Sequence, residues 1–502
     1  MKTSSFLLQA LTLDFGDQAQ IPVTFLGPQA NLKRTHISIV AGANGTSKSR
    51  LLAVLIEKLC SIEAMQDQDQ DQDKYSRRYS HQSAFGLTCT GLSTLINGSD
   101  KLLQEGKQDL IGDVGLPTRV LALSNLVMDK FHFPRDTNRD TQLEEPFYRY
   151  LGVRQATNLT TTGSVERSVG EAVLHMASDT ERLNAFQDWL HLVFGGGREL
   201  AFLFPRITKS EIEKFLNRKD KEEYVLERMK RRLGSARSAS TNEAFIVEAT
   251  AEISSLFEFL SQHLTEYSLP NSIGKSRPEA FLRLATLSSK DGKTLSSLIK
   301  NFSTASRAGF SAWPSLCIEG APWIPFGQLS SGEQNLLSVG AKLIAYSRPG
   351  CLVVIDEPEV SLNVAWQQQY TELVLKSLSH APGSHVLIAT HSPHLIASLP
   401  NGSASIVLAE KNGWHSKFKT IDAAFEGWGS ESVLYQVLGI PSASSFHLNR
   451  DLAVVLKHIQ EGGEDKKLIQ AFLEKILKLD YQETEPLGLV VAEIEKYLES
   501  LQ

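Results

Sequence analysis

Residues 42–49 read Gly-Ala-Asn-Gly-Thr-Ser-Lys-Ser. They follow a short β-branched run, Ile37–Val40, and precede a segment with apolar residues at Leu51, Leu52, Leu55, Ile56 and Leu59. That second spacing is one face of a helix. Strand, small-residue loop and helix in this order constrain the fold more than any other feature of the chain. The helix must start at the loop, with its N-terminus facing whatever the loop encloses. Gly42, Lys48 and Ser49 fit the phosphate-loop pattern G-x-x-x-x-G-K-[ST], in the strand-to-helix context that the pattern requires. Backbone N–H groups over Asn44, Gly45, Thr46 and Ser47, together with the helix dipole, favour an anion there. Lys48 is placed to reach the β- and γ-phosphates of a nucleotide, and the Ser49 hydroxyl to sit on Mg²⁺. Position 47 departs from the pattern, carrying serine for glycine. Its Cβ fits the loop if its φ is negative.

A second buried strand is expected at Val120–Leu123, followed by Ser124 and Asn125. Residues 66–73 alternate Gln and Asp, have no apolar content and cannot pack a core. From about 135 to 320 strand signals fade, and helices are expected near 165–195, 209–233, 241–268 and 278–302. After 320 they return at Leu352–Ile355 and His385–Ala389, with a helix from Val364 to Leu378 between them. This βαβ alternation favours a parallel sheet. The expected fold class is α/β. Its sheet is split between residues 1–134 and 321–420 by a helical insertion over 135–320, and a mainly helical region covers 421–502.

No stretch of the 502 residues approaches the roughly 18 apolar residues of a membrane span. Cys60, Cys89, Cys317 and Cys351 lie far apart and form no metal-ligand spacing, so a reducing cytoplasm is the simplest compartment. Lys and Arg number 51 against 57 Asp and Glu, a net charge of −6, which argues against a chain coated for nucleic acid. One local cluster, Arg228, Lys230, Arg231, Arg232 and Arg237, could meet phosphates if its members share a helix face; it reads equally as a charged solvent face.

The run Cys351-Leu-Val-Val-Ile-Asp356-Glu357-Pro358-Glu359 is an apolar strand ending in acids. An α/β sheet places functional groups at such strand ends. Asp356 is suited to hold Mg²⁺ and Glu357 to polarise an attacking water; the bland reading is a solvated acidic turn. Leu329-Ser330-Ser331-Gly332-Glu333-Gln334 opens a helix, and a Ser-Gly pair there is another anion site or a simple cap. His391, in Thr-His-Ser-Pro at the end of a strand, could sense a γ-phosphate or merely bond to backbone.

In order and spacing these segments resemble the ATP-binding-cassette ATPases. The resemblance implies a Walker A loop at 42–49, a signature at 329–334, a Walker B strand at 352–357, a D-loop at Ser361-Leu362-Asn363 and a switch histidine at His391. It implies ATP and Mg²⁺ as ligands, with Ser49 and Asp356 on the metal and Lys48, Glu357 and His391 in catalysis. The absence of membrane spans and the long insertion resemble the branch that holds RecF, Rad50, SMC and OLD proteins. In that branch two subunits sandwich two ATPs, so Ser331, Gly332 and Glu333 would act on the nucleotide of a partner in a homodimer or a larger assembly. The family's Q-loop glutamine has no counterpart, leaving Asn125 as the candidate. Gln460–Asp465 superficially resembles the start of a Toprim nuclease, but no strand precedes it, and it reads as a polar inter-helix loop. Residues 129–154, with Asp129-Lys130-Phe131 and Tyr150–Arg154, and 427–431 around Trp428, resemble the Septu ATPase subunits of anti-phage systems, also found beside retrons. That family works with a separate HNH-type nuclease subunit, and retron nucleic acid or DNA is a further candidate partner. Two other readings stand beside this one: a RecF-like repair or chromosome-maintenance ATPase that clamps DNA, and an ATP-binding scaffold with little turnover.

Overall fold

The computed structural model describes residues 5–15, 20–26, 34–66, 87–104, 115–126, 128–132, 146–153, 162–177, 179–196, 198–204, 207–233, 243–269, 277–287, 292–310, 313–320, 322–400, 404–413, 415–421, 430–436, 438, 446–463, 465–477 and 486–500. In chain order the strands are β1 (Phe6–Asp14), β2 (Gln20–Thr24), β3 (His36–Ala41), β4 (Thr88–Ile96), β5 (Ser99–Gln104), β6 (Val120–Ser124), β7 (Tyr148–Tyr150), β8 (Leu200–Phe204), β9 (Thr265–Leu269), β10 (Arg277–Arg283), β11 (Ser315–Ile318), β12 (Ile324–Pro325), β13 (Leu352–Asp356), β14 (His385–Thr390), β15 (Ala404–Asn412) and β16 (His415–Ile421).

The central sheet has the order β16-β15-β3-β14-β13-β6-β7. Its strands run parallel except β16, which returns antiparallel on the edge. β14 and β13, from late in the chain, lie between β3 and β6 from its start, so the split sheet expected from sequence is the one formed. β3, β6, β13 and β14 are buried at every residue. Their side chains alternate between two cores. Ile37, Ile39, Val353, Ile355, Val386 and Ile388 enter one, while Val40, Leu352, Val354, Leu387 and Ala389 enter the other. Parallel strands covered on both faces read as unbroken apolar runs for this reason.

One face is covered by the helix Lys48–Gln66, through Leu51, Leu52, Leu55, Ile56 and Leu59, and by an antiparallel sheet of order β2-β1-β4-β5. The other is covered by the helices Thr162–Met176, Thr180–Phe194 and Ser331–Tyr346. Trp189, buried, lies directly on Gly340, where a Cβ would come within 2.6 Å of the indole. The indole N–H donates to the Leu373 carbonyl at 3.2 Å, tying that layer to the helix Val364–Ser377.

The stretch expected to be helical differs from the structure. β7 joins the central sheet beside β6. β8 to β12 form an antiparallel sheet of order β12-β11-β8-β10-β9. Leu200–Phe204 is an unbroken apolar run buried at every residue, which a helical reading of the surroundings obscures. The piece expected at 165–195 is two helices, because Asp179 accepts from the N–H groups of Glu181 and Arg182 and starts a second one. In place of a helix at 278–302 stand β10, a short turn of helix and the helix Gly292–Arg307. Beyond β16, helices at Ser430–Gln436, Phe446–Gln460, Lys466–Ile476 and Pro486–Ser500 bury a small core of their own around Leu448, Ile469, Phe472 and Ile494. Residues 461–463 turn between two of these helices, and Asp465 caps the second. No helix among the described residues is long and apolar enough to cross a membrane.

Candidate nucleotide site

The central strands end in register. Ala41 on β3 is paired with Thr390 on β14, and Asp356 on β13 is paired with both Ala389 and Ser124. The phosphate loop, His391, Glu357 and Asn125 therefore emerge together from the carboxyl edge of the sheet, where open α/β folds bind ligands.

The loop is shaped by close approach. A Cβ on Gly42 would stand 2.3 Å from the Ala409 carbonyl oxygen of β15, so only glycine fits there. Gly45 has φ +82°. Ser47 has φ +63°, in the left-handed region, against the negative value its side chain favours. The loop takes the glycine-like turn regardless and carries strain at serine. Thr46 Oγ1 donates to the Ala43 carbonyl at 2.8 Å, and the Leu51 N–H bonds to the Ser47 carbonyl at 2.9 Å as the helix begins. Asn44 and Gly45 are exposed at the loop's crest.

Lys48 is buried and folds back over the loop, donating to the Gly42 and Ala43 carbonyls at 2.8 and 3.0 Å. Burial lowers its pKa, opposed by the charges of Glu357, Asp356 and Glu359. Ser49 Oγ donates to Asp356 Oδ1 at 2.8 Å. Asp356 is 1% exposed, and its Oδ2 is buried without a hydrogen-bond partner among the described residues. Burial pushes its carboxyl up to about 7; the Ser49 bond pulls the other way, and nearby Glu357 and Asp129 add to the rise. A buried carboxylate with one orphaned oxygen, bonded to a hydroxyl at the mouth of a phosphate loop, fits Mg²⁺. That ion takes hard oxygen ligands and is held by one or two protein groups plus phosphate.

Glu357 sits at φ +45°, its N–H bonded to the Ala389 carbonyl at 2.9 Å, so the chain kinks sharply where the strand ends. His391 is half exposed. Its Nδ1 lies 3.8 Å from Glu357 Oε1 and 3.2 Å from Glu359 Oε1. Lys48, Ser49, Asp356, Glu357 and His391 thus form one cluster.

Other expected positions fall elsewhere. Ser331 is exposed in the first turn of its helix, while Gly332 is buried, a Cβ there coming within 2.6 Å of Trp366 and 2.9 Å of the Ser361 carbonyl. Glu333, expected at ATP, accepts from the N–H and hydroxyl of Ser330, each at 2.8 Å, in a capping box. Asn125, the Q-loop candidate, donates to Asn335 Oδ1 at 2.8 Å, and Asn335 in turn donates to the Val360 carbonyl at 3.0 Å. It braces the signature helix against the turn after β13. The described members of the basic cluster point different ways. Arg228 turns inward, donating to the Gly309 carbonyl at 2.6 Å and lying 4.5 Å over the Phe310 ring. Arg231 pairs with Glu227, and Lys230 is exposed. Val225 and Met229 of the same helix are buried, and Arg228 lies on their side of it. The Arg232 side chain, Arg237, Arg154, Trp428 and residues 67–73 lie outside the described residues.

Sequence reasoning missed Glu359. It is buried, and its Oε1 accepts from the Thr390 hydroxyl at 2.6 Å and the His391 N–H at 2.9 Å. The signal was present as a third acid after a proline, but a solvated turn explained it equally well.

Residues 211–397 match the family described as "AAA domain, putative AbiEii toxin, Type IV TA system". The chain is 25% identical over 131 residues to Septu protein PtuA of Bacillus thuringiensis, covering 26% of this chain and 31% of that protein. It is 37% identical over 76 residues to the cytochrome c biogenesis ATP-binding export protein CcmA of Agrobacterium fabrum, covering 15% of this chain and 33% of the relative. The matches span about a third of each relative's length. The SMC head domain from Thermotoga maritima is also similar, at 9% identity and a TM-score of 0.32, over 83% of this chain and 99% of that one. At that score the likeness says nothing of function; strand order and loop geometry carry the fold. Residues 211–397, which contain the helix Ser331–Tyr346, the acidic end of β13 and His391, are thus similar to an AAA-type, ABC-like ATPase domain.

Proposed function

We propose that the chain binds and hydrolyses MgATP in a dimeric sandwich, and that this cycle controls a separate nuclease subunit in anti-phage defence in the cytoplasm. The observation that carries the ATPase part is the Ser49–Asp356 pair with its orphaned buried oxygen, set between a phosphate loop and Glu357. Lys48 would leave the Gly42 and Ala43 carbonyls for the phosphates, a modest exchange because both partners are acceptors of the same cation. Held by Ser49 and Asp356, Mg²⁺ would supply charge neutralisation on the β- and γ-phosphates. Glu357 orients a water for attack on the γ-phosphorus and takes its proton. A bond forms from the water oxygen to phosphorus, the bond to the bridging oxygen breaks, and ADP leaves. Ser331, exposed at a helix N-terminus, is free to meet the phosphate held by a second copy.

The defence role rests on the similarity to PtuA and on the Septu-like segments; the helices of 421–502 are the proposed docking region. Domain limits of 1–134 and 321–420 for the ATPase and 135–320 for the insertion remain part of the same proposal. Two measurements test it. Glu357→Gln should bind ATP yet lose turnover by about 100-fold or more, as removal of a general base does; wild-type turnover in that variant would remove Glu357 from the role. Co-purification of the tagged chain with its genomic neighbours should bring a stoichiometric nuclease. A chain that comes out alone, with ATPase activity stimulated by DNA, would replace the defence reading with a DNA clamp.

A further inference from the structure

We infer that Glu359 is the positioning residue for His391, a task separate from that of Glu357, so that the two acids flanking Pro358 divide the work of the strand end. This rests on the ATPase reading above and deepens it.

His391 needs such a partner. It follows the last residue of β14 and its ring is half exposed, so an unanchored imidazole there would sample several rotamers. Two donors of the 390–391 segment bond to one oxygen of Glu359, and the His391 ring lies beside it. The Thr390 hydroxyl donates to Oε1 at 2.6 Å and the His391 N–H at 2.9 Å, and His391 Nδ1 stands 3.2 Å from the same oxygen, at ion-pair distance. The turn is pinned again beyond. The Ser392 N–H donates to Thr390 Oγ1 at 2.9 Å, and Ser392 Oγ to Gln367 Oε1 at 2.7 Å. Among the described residues Glu359 Oε2 is buried with no partner, and the carboxylate's hydrogen bonds run through Oε1 to the 390–391 segment.

The consequence is a choice of tautomer. A carboxylate on Nδ1 draws the proton of a neutral imidazole to that nitrogen, leaving Nε2 as the atom presented away from Glu359. Glu357 Oε1 stands farther from Nδ1, at 3.8 Å, and its side chain remains partly exposed, available to a water. Glu359 itself is an acid in a buried turn. Its charge stands opposite a half-exposed donor rather than being neutralised by a lysine or arginine at contact distance among the described residues.

The test is a double-mutant cycle on the full-length chain, reading steady-state MgATP hydrolysis of wild type, Glu359→Gln, His391→Ala and the double variant, with ATP binding and melting measured in parallel. Glutamine keeps an acceptor for Thr390 and the His391 N–H but removes the charge from Nδ1. The expected result is a kcat loss of at least about tenfold in Glu359→Gln, as for loss of an outer-shell partner of a functional histidine, with KM and ATP affinity unchanged. His391→Ala/Glu359→Gln should be no slower than His391→Ala alone. Glu359→Asp, which keeps the charge but withdraws it by one methylene, is the second variant should glutamine fail to fold, and should show the same split. Wild-type kcat in a folded Glu359 variant, losses that multiply in the double variant, or full activity in His391→Ala would each overturn the positioning role. No hydrolysis by the wild-type chain would overturn the ATPase reading itself, and with it this role.

Discussion

Replacing Ser47 by glycine should stabilise the chain without tightening its hold on nucleotide. Ser47 occupies φ +63°, where an L-residue pays roughly 1–2 kcal/mol in contacts between its Cβ and the backbone. Glycine removes that cost but gives the unfolded chain more freedom, which offsets about 0.4–1 kcal/mol. The net gain is about 0.5–1 kcal/mol, or about 1–3 °C in the melting midpoint of the nucleotide-free protein. Ser47→Ala is the control: it keeps the Cβ, loses only the hydroxyl and should melt with the wild type. The turn is already left-handed in serine, so the loop's N–H groups are aimed as a glycine would aim them. MgATP affinity in Ser47→Gly should therefore stay within about twofold of wild type, or roughly 0.4 kcal/mol. A variant that melts at or below wild type would show that no strain is stored at 47. Affinity gained by tenfold or more, about 1.4 kcal/mol, would show instead that serine distorts the empty loop.

Gly42→Ala should abolish ATP binding and cost about 1–3 kcal/mol of stability, because its Cβ would lie 2.3 Å from the Ala409 carbonyl oxygen of β15; a variant with normal binding and melting would mean that the loop and β15 separate freely. Acidification should destabilise the nucleotide-free chain. Burial lowers the pKa of His36, His175 and His380 to about 4 and that of His385 further, so between about pH 6.5 and 4 the unfolded chain binds protons the folded one refuses. Asp356 and Glu57, both raised to about 7, and Glu166, also raised by burial, act in the opposite sense over part of that window, but three groups oppose four. A melting midpoint that holds or rises from pH 7.5 to pH 5 would refute the balance. Arg228→Ala should lower stability by about 1–2 kcal/mol through its lost bond to Gly309 and leave the salt dependence of any DNA retention unchanged; Lys230→Ala should leave melting unchanged. A flattened salt response in Arg228→Ala would restore that residue to a nucleic-acid surface.

The central sheet was legible because parallel strands buried on both faces have no freedom in composition. His36–Ala41, Val120–Ser124, Leu352–Asp356 and His385–Thr390 each read as an apolar run, and each became a central strand. The insertion was not legible in the same way. β9 and β10, Thr265–Leu269 and Arg277–Arg283, carry Thr, Glu, Ser and Arg among their apolar residues. They hold their places by pairing with each other and with β8. That pairing is a tertiary fact, and a helix-length window dilutes a five-residue run such as Leu200–Phe204. The break at Asp179 was available in principle, since Ser-Asp-Thr-Glu before an apolar repeat is a helix start.

At the site, legibility stopped where chemistry depends on which way a side chain turns. Strand ends fixed the neighbourhood of Lys48, Asp356, Glu357 and His391, because parallel register forces whatever follows each strand onto one edge. The same logic could not rank the acids of Asp356-Glu357-Pro358-Glu359. Alternation alone would send two of them one way and one the other. The left-handed turn at Glu357 breaks alternation, and it is this turn, φ +45° with its N–H on Ala389, that sends Glu359 back under β14 to the Thr390 hydroxyl rather than out to water. Its effect is therefore larger than a local distortion. If Glu357 were relaxed to an extended conformation, Glu359 would leave the turn that holds His391. The strained turn at Glu357 is thus the geometric condition for the order of Glu359 and His391, in keeping with the tendency of strained backbone to collect at functional sites.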